Sequence, residues 1–257
     1  PGNTLLHRLD PRTKLVAVIC YIVALFLAKR FVSYGLMFAF LTSCIAVSHI
    51  KLKTMLHGLK PLIVIIILTA LLNVLYTGGE HVIAKLWVFT ISREGIETAF
   101  FMVVRIIMLV MGTFLLTYTT SPIALTDGIE SLLGPLKKIH VPVHELAMVM
   151  SIALRFIPTL IEETDKIISA QKARGADFES GSLIRRARAL VPVLVPLFIS
   201  AFRRADELAT AMECRCYHGG EGRTRMKQLR YGGIDAAAYA VCAALLAAII
   251  VLRRFGL

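Results

Sequence analysis

Residues 99–119 read AFFMVVRIIMLVMGTFLLTYT, an unbroken apolar run in which Arg105 is the one charge. As a helix rising about 1.5 Å per residue, a run of this length matches a hydrocarbon layer about 30 Å thick. Four further stretches read the same way: Leu15 to Ala28, Phe31 to Ile50, Leu62 to Tyr76 and Ile234 to Leu252. Two of them are short, so flanking residues must extend them or the bilayer must thin. The composition agrees, since 57% of the 257 residues are hydrophobic and the mean hydropathy is +0.72. A bilayer, rather than water, is the solvent this chain suits.

The net charge of +12, from 29 Lys and Arg against 17 Asp and Glu, would suggest nucleic acid in a soluble protein. In a membrane protein, basic loops set topology and meet anionic headgroups, so no nucleic-acid partner is expected. With the N-terminus and the long segment 120–233 on the cytoplasmic side, 22 Lys and Arg fall inside and 6 outside, which predicts an N-in, C-out chain in a cell membrane. The apolar run after Arg8, Arg12 and Lys14 resembles a signal peptide but lacks a small-residue cleavage site, and reads as the first anchor. Residues 77–95 hold Gly78-Gly79, a mixed stretch with Trp87, and Glu94-Gly95, which suit a short hairpin or an interfacial segment.

Residues 120–233 carry 16 basic and 12 acidic side chains and are amphipathic throughout. A short helical face follows Pro122. After Pro142, Leu146, Val149, Met150, Ala153, Leu154, Ile157, Leu160 and Ile161 recur every three or four residues, which predicts a long helix closing near Arg174-Gly175. A second runs from about Leu183 to Arg215. Its apolar middle, Ala189 to Phe202, is too short for a comfortable span and holds Pro192 and Pro196, which predict a kink. The architecture expected is an all-α membrane protein, with about five transmembrane helices and long amphipathic cytoplasmic coupling helices. Residues 1–119 form its membrane part, 120–233 the coupling segment and 234–257 the final span.

No phosphate loop, H-E-x-x-H or G-x-S-x-G occurs, so no catalytic site or ATP site of its own is expected, and no cofactor. His140 and His144 straddle Pro142 and read as loop histidines rather than a metal site. Five cysteines without a C-x-x-C pair give neither a zinc site nor a disulfide framework. Arg105 reads as snorkelling or pairing between helices with a group such as Glu97 or Asn73, and otherwise as part of a substrate or ion path.

The two long helices end alike: Ala170-Gln171-Lys172-Ala173-Arg174-Gly175, and Ala211-Met212-Glu213-Cys214-Arg215-Cys216-Tyr217. Each ending taken alone is an ordinary basic C-terminus. Their recurrence at a spacing of 41 residues suggests two helix tips that enter grooves, where an Arg fork meets carboxylates or carbonyls. Around them stand His7-Arg8-Leu9-Asp10-Pro11-Arg12-Thr13-Lys14, Thr119-Thr120-Ser121-Pro122, Ala153-Leu154-Arg155-Phe156-Ile157-Pro158 with Glu162-Glu163, and Arg203-Arg204-Ala205-Asp206-Glu207-Leu208-Ala209. In these blocks the chain resembles the transmembrane T component of energy-coupling factor (ECF) transporters, the EcfT/CbiQ family.

The resemblance implies a scaffold that docks two ABC-type ATPase subunits, EcfA and EcfA', through Ala173, Arg174 and Gly175 and through Cys214, Arg215 and Cys216. It also implies coupling of their ATP hydrolysis to a substrate-binding membrane S component for vitamin or metal-ion uptake. ATP would be bound by the partners. Pro192, Pro196 and Leu197 are candidates for S-component contact or for helix packing. Cys216 stands where the family usually has a glycine able to take a left-handed cap, which keeps the Arg215 contact as an expectation and leaves the backbone geometry of the second tip open. The rival reading is the substrate-translocating permease subunit of a conventional ABC importer. Polar residues inside the spans, chiefly Arg105 and Asn73, are too few for a midplane site.

Overall fold

The computed structural model describes residues 4–77, 82–86, 89–178, 182–219 and 229–255. Ten α-helices and one hairpin follow one another among these residues: α1 (Leu5–Arg8), α2 (Pro11–Leu27), α3 (Phe31–Ser48), α4 (Leu52–Leu59), α5 (Ile63–Tyr76), β1 (Val82–Leu86), β2 (Phe89–Ser92), α6 (Arg93–Thr119), α7 (Pro122–Leu132), α8 (Val143–Ala173), α9 (Leu183–Cys214) and α10 (Gly233–Phe255). Short 3-10 turns over Lys60–Leu62 and Gly134–Ile139 both begin at a proline dipeptide, Lys60-Pro61 and Gly134-Pro135. The chain is divided into two compact units, residues 1–129 with 229–257, and residues 130–228.

In the first unit α2 packs on α10 and α6, α3 on α6, and α5 on α6. Tyr21, Ala24 and Leu25 of α2, Met37 and Leu41 of α3, Met108 of α6 and Ile249 of α10 are buried together. Gly112 permits the closest approach, because a Cβ there would stand 2.5 Å from the Tyr21 ring. The Tyr21 hydroxyl in turn donates to the Met108 carbonyl at 3.1 Å. Outward, the helices leave Val64, Ile67, Phe38 and Phe100 more than half exposed, as an apolar solvent allows.

Five segments are long and apolar enough to cross a membrane: Phe31–Ser48, Leu52–Tyr76, Arg93–Thr119, Val143–Ala173 and Gly233–Phe255. Four match the expected spans. The structure extends the third back through α4 and the 3-10 turn, and the fourth back to Arg93. The expected first span falls in the 17-residue α2, at the lower end of the length that crosses a bilayer, and α8 is the fifth helix of the set. α8 qualifies through its first half, where Glu145 and Arg155 are the only Asp, Glu, Lys or Arg before Pro158. Acidic and basic residues gather in its second half.

The hairpin lies between α5 and α6, with Leu86 opposite Phe89, Lys85 opposite Thr90 and an irregularity between Val82 and Ala84. Gly78-Gly79 and Trp87 lie outside the described residues. Ser92 ends the hairpin and starts α6, since its hydroxyl accepts from the Gly95 amide at 3.0 Å and donates to the Thr77 carbonyl at 2.8 Å.

Arg105 finds neither Glu97 nor Asn73. Its Nε donates to the Tyr34 hydroxyl at 2.9 Å and a terminal nitrogen reaches the Ala28 carbonyl at 3.3 Å, while the guanidinium sits 5.5 Å from the Phe26 ring centre. Asn73 instead bonds its own helix at the Thr69 carbonyl. The Arg105 contact satisfies a carbonyl left without a partner at the end of α2 and ties α6 to α2 and α3.

The segment around Asp10 closes one end of the first unit. Asp10 caps α2, taking the Arg12 amide at 2.9 Å and the Arg12 guanidinium at 3.0 Å, and its own amide donates to Asp235 at the start of α10. Burial works against the charge on Asp10, but the Arg12 side-chain and backbone hydrogen bonds outweigh it and hold the carboxyl below its ordinary value. Arg12 also lies 3.9 Å from the centre of the Tyr231 ring.

In the second unit α8 and α9 pack on each other. The predicted kink leaves α9 uninterrupted, with Pro192 and Pro196 inside it, and α8 likewise continues through Pro158. Each proline lacks the amide that would serve the carbonyl four residues back. For Pro196 that carbonyl belongs to Pro192, and the Gln171 side chain of α8 reaches it at 3.4 Å. The pair buries little apolar surface of its own: Val143, Ala147 and Val193 are buried, while Val149, Ile161, Phe198, Ile199 and Phe202 are more than half exposed.

Candidate functional site

The two helix endings singled out in the sequence are exposed, and they have the same backbone. At the end of α8, Arg174 is the C-cap, the Gly175 amide bonds the Lys172 carbonyl at 2.9 Å and the Ala176 amide bonds the Gln171 carbonyl at 3.0 Å. At the end of α9, Arg215 is the C-cap, the Cys216 amide bonds Glu213 at 2.8 Å and the Tyr217 amide bonds Met212 at 3.0 Å. Both are Schellman caps. Gly175 takes φ +87° and Cys216 takes φ +56°, so the cysteine adopts the left-handed conformation that its replacement of glycine put in question.

Ala173, Arg174, Gly175, Cys214, Arg215 and Cys216 all face outward. Neither arginine has a side-chain partner among the described residues. A guanidinium brings five N–H donors in a planar fork, and here each fork stands at the tip of a helix whose last carbonyls are already capped. The arrangement suits insertion into a groove lined by carboxylates or carbonyls.

The sequence did not reveal how the two tips are set relative to each other. Arg204 of α9 donates to Glu163 of α8 at 2.9 Å, and Gln171 further along α8 meets Pro192 further back along α9. The helices are therefore antiparallel, and their tips leave the pair at opposite ends. Glu163 and Arg204 each lie 11 residues before their own tip arginine, which is about 16 Å of helix. The Arg tips are thus balanced about that ion pair, roughly 30 Å apart along the helices. The 41-residue spacing that links Arg174 to Arg215 also links Glu163 to Arg204, and this signal was available in the sequence.

Pro192 and Pro196 are exposed and Leu197 is half-buried, on a helix whose only buried apolar side chain among those described is Val193. Pro192 lies near the α8 tip across the pair, since its carbonyl takes the Gln171 side chain three residues before Arg174, and Pro196 and Leu197 lie further toward the middle of α9. His144 of the expected loop pair bonds Glu130 at 2.9 Å, and His140 caps the preceding 3-10 turn with φ +60°. Among the described residues no three His, Cys, Asp or Glu side chains gather as a metal site would need.

Several apolar helices in one unit and an antiparallel helix pair in the other define a multi-pass membrane protein. The comparisons agree with that class. The profile of the CbiQ family, described as cobalt transport protein, matches residues 2–226. The energy-coupling factor transporter transmembrane protein EcfT of Thermosediminibacter oceani is 56% identical over 255 residues, covering 99% of this chain and 96% of that protein. That of Clostridium kluyveri is 54% identical over 255 residues, with 99% and 94% covered, and that of Bacillus subtilis 49% over 235 residues, with 91% and 89% covered. The chain belongs to the EcfT/CbiQ family, whose members are transmembrane transport components rather than catalysts.

Proposed function

We propose that this chain is the scaffold and energy-coupling subunit of an ECF-type ABC importer. It passes ATP-driven movement of two partner ATPases, EcfA and EcfA', to a substrate-binding S component that takes up a vitamin or metal ion. The observation that carries the reading is the pair of exposed arginines, without side-chain partners among the described residues, on matching caps at opposite ends of α8 and α9. Two docking points equidistant from a central ion pair suit a pair of similar ATPase subunits. The apolar faces left exposed on the same two helices, with the two prolines among them and the half-buried Leu197 at their edge, are the surface offered to the S component or to lipid. The acidic and basic second half of α8 fits the cytoplasmic side, with the N-terminus on that side as well.

The experiment is ATPase retention on pull-down, together with substrate uptake, for Arg174→Ala, Arg215→Ala and the double variant. Truncating one side of a buried charge contact commonly costs about 2 to 5 kcal/mol. Two tips on one scaffold raise each other's effective concentration, so each single variant keeps the assembly with reduced uptake, and the double variant releases the ATPases. Because the two caps are alike, the two single variants lose uptake to a similar degree. Retention of both ATPases and full uptake in the double variant reduces the arginines to helix caps.

A further inference from the structure

The first unit contains a groove of about 400 Å³ between α2, α3, α6 and α10, and its lining is almost wholly apolar. Lys14 is the single charged residue on its wall. The side chain is buried, with the residue only 6% exposed, and its ammonium donates to the Thr119 carbonyl at 2.9 Å and the His7 carbonyl at 3.2 Å. An ammonium has three donors, and among the described residues the third has no partner. The two carboxylates nearby are already engaged: Asp10 by Arg12, and Asp235 by the amides of Asp10 and Gly232. Lys14 therefore stands as a buried cation that feels the charges of Asp10 and Asp235 but makes no direct salt bridge among the described residues, beside an apolar groove.

The groove has a polar end and an apolar end. Lys14, Thr119 and Ile234 lie at the ends of α2, α6 and α10, and Tyr21, Gly112 and Val241 lie 7 residues deeper along each helix. That is about 10 Å toward the middle of the spans. Val47 and Val241 are on the wall yet about half exposed, so the groove opens sideways toward lipid. We infer that this groove binds one anionic amphiphile, with its carboxylate or phosphate on the Lys14 ammonium and its acyl chain lying along Tyr21 and Gly112. Dispersion and burial hold the chain, and the anion supplies the missing partner of the cation. The inference is independent of the ATPase-docking reading, since it concerns other residues and another unit.

The test is native mass spectrometry of the full-length chain, stripped of lipid in detergent and offered oleate, dioleoyl phosphatidylglycerol or dioleoyl phosphatidylcholine. One equivalent of an anionic probe is expected to bind about tenfold or more tightly than phosphatidylcholine, and Lys14→Gln to remove that preference. Binding of oleate alone identifies a free fatty acid, of phosphatidylglycerol alone a phospholipid, and of both the shared anion chemistry. Lys14 also bonds two carbonyls, so its variant is judged only where its thermal transition is kept. Ala238→Phe, which fills the groove from α10 without touching the ammonium, is expected to abolish binding of every probe in a folded protein. Equal binding of phosphatidylcholine, retained binding in Ala238→Phe, or absence of a bound amphiphile overturns the inference. So does an adduct on the isolated chain that is missing from the natively purified complex, because a partner's side chains then fill the groove.

Discussion

Exchanging the residues at the two left-handed cap positions, Gly175→Cys and Cys216→Gly, should change stability in opposite directions. At Gly175 an added Cβ meets no atom within 4 Å, so the cost of a side chain there is conformational alone. A non-glycine residue in the left-handed region costs about 1–2 kcal/mol, offset by about 0.4–1 kcal/mol because the unfolded chain has less freedom to lose. Gly175→Cys should therefore destabilise the α8 cap by about 1 kcal/mol, and its φ of +87° adds to the strain. Cys216→Gly runs the balance backward and should stabilise the α9 cap by up to about 1 kcal/mol. Hydrogen exchange in detergent reads this directly, at the amides of Gly175 and Ala176 in one cap and of Cys216 and Tyr217 in the other. About 1.4 kcal/mol is a factor of ten in protection. Pull-down of the ATPases should be unchanged by Cys216→Gly, because the Arg215 fork is untouched. Faster exchange at the α9 cap in Cys216→Gly would refute the reasoning and show that the thiol itself holds the tip.

The Asp10 carboxyl is held below its ordinary 3.8 when folded, so its contribution to stability is fully present well above that value and is lost as pH falls through the lower folded value. Stability toward thermal unfolding in detergent should thus fall as the medium is taken from pH 6 to below pH 3.8, and Asp10→Asn, which keeps a cap but gives up the Arg12 ion pair, should show less of that loss. An unchanged pH profile in the variant counts against the Asp10–Arg12 account. For topology, single cysteines at Ser92 and Ser182 in a Cys-free background should differ toward an impermeant thiol reagent on intact cells: Ser92 labels and Ser182 does not, and the reverse result overturns the proposed orientation.

The sequence alone determined the helical membrane character, because a bilayer demands long apolar runs with their backbone groups paired within one segment, and such runs are read without knowing any partner. It also located the ends of α8 and α9 closely, since amphipathic periodicity and the basic endings are local properties. Local patterning showed α8 as the longer helix but read it as amphipathic, because the charged residues of its second half hide the apolar character of its first half. Tertiary structure decided the rest. Arg105 chose Tyr34 and Ala28 over Glu97 and Asn73 because the helix packing brings the end of α2 beside it, and side-chain spacing along one chain contains no such information. Cys216 adopted the left-handed cap despite its Cβ because its own amide and that of Tyr217 find the carbonyls of Glu213 and Met212 in that conformation alone. The opposite placement of Arg174 and Arg215 came from the antiparallel contact of Glu163 with Arg204, a pairing between distant residues that no reading of either helix by itself contains.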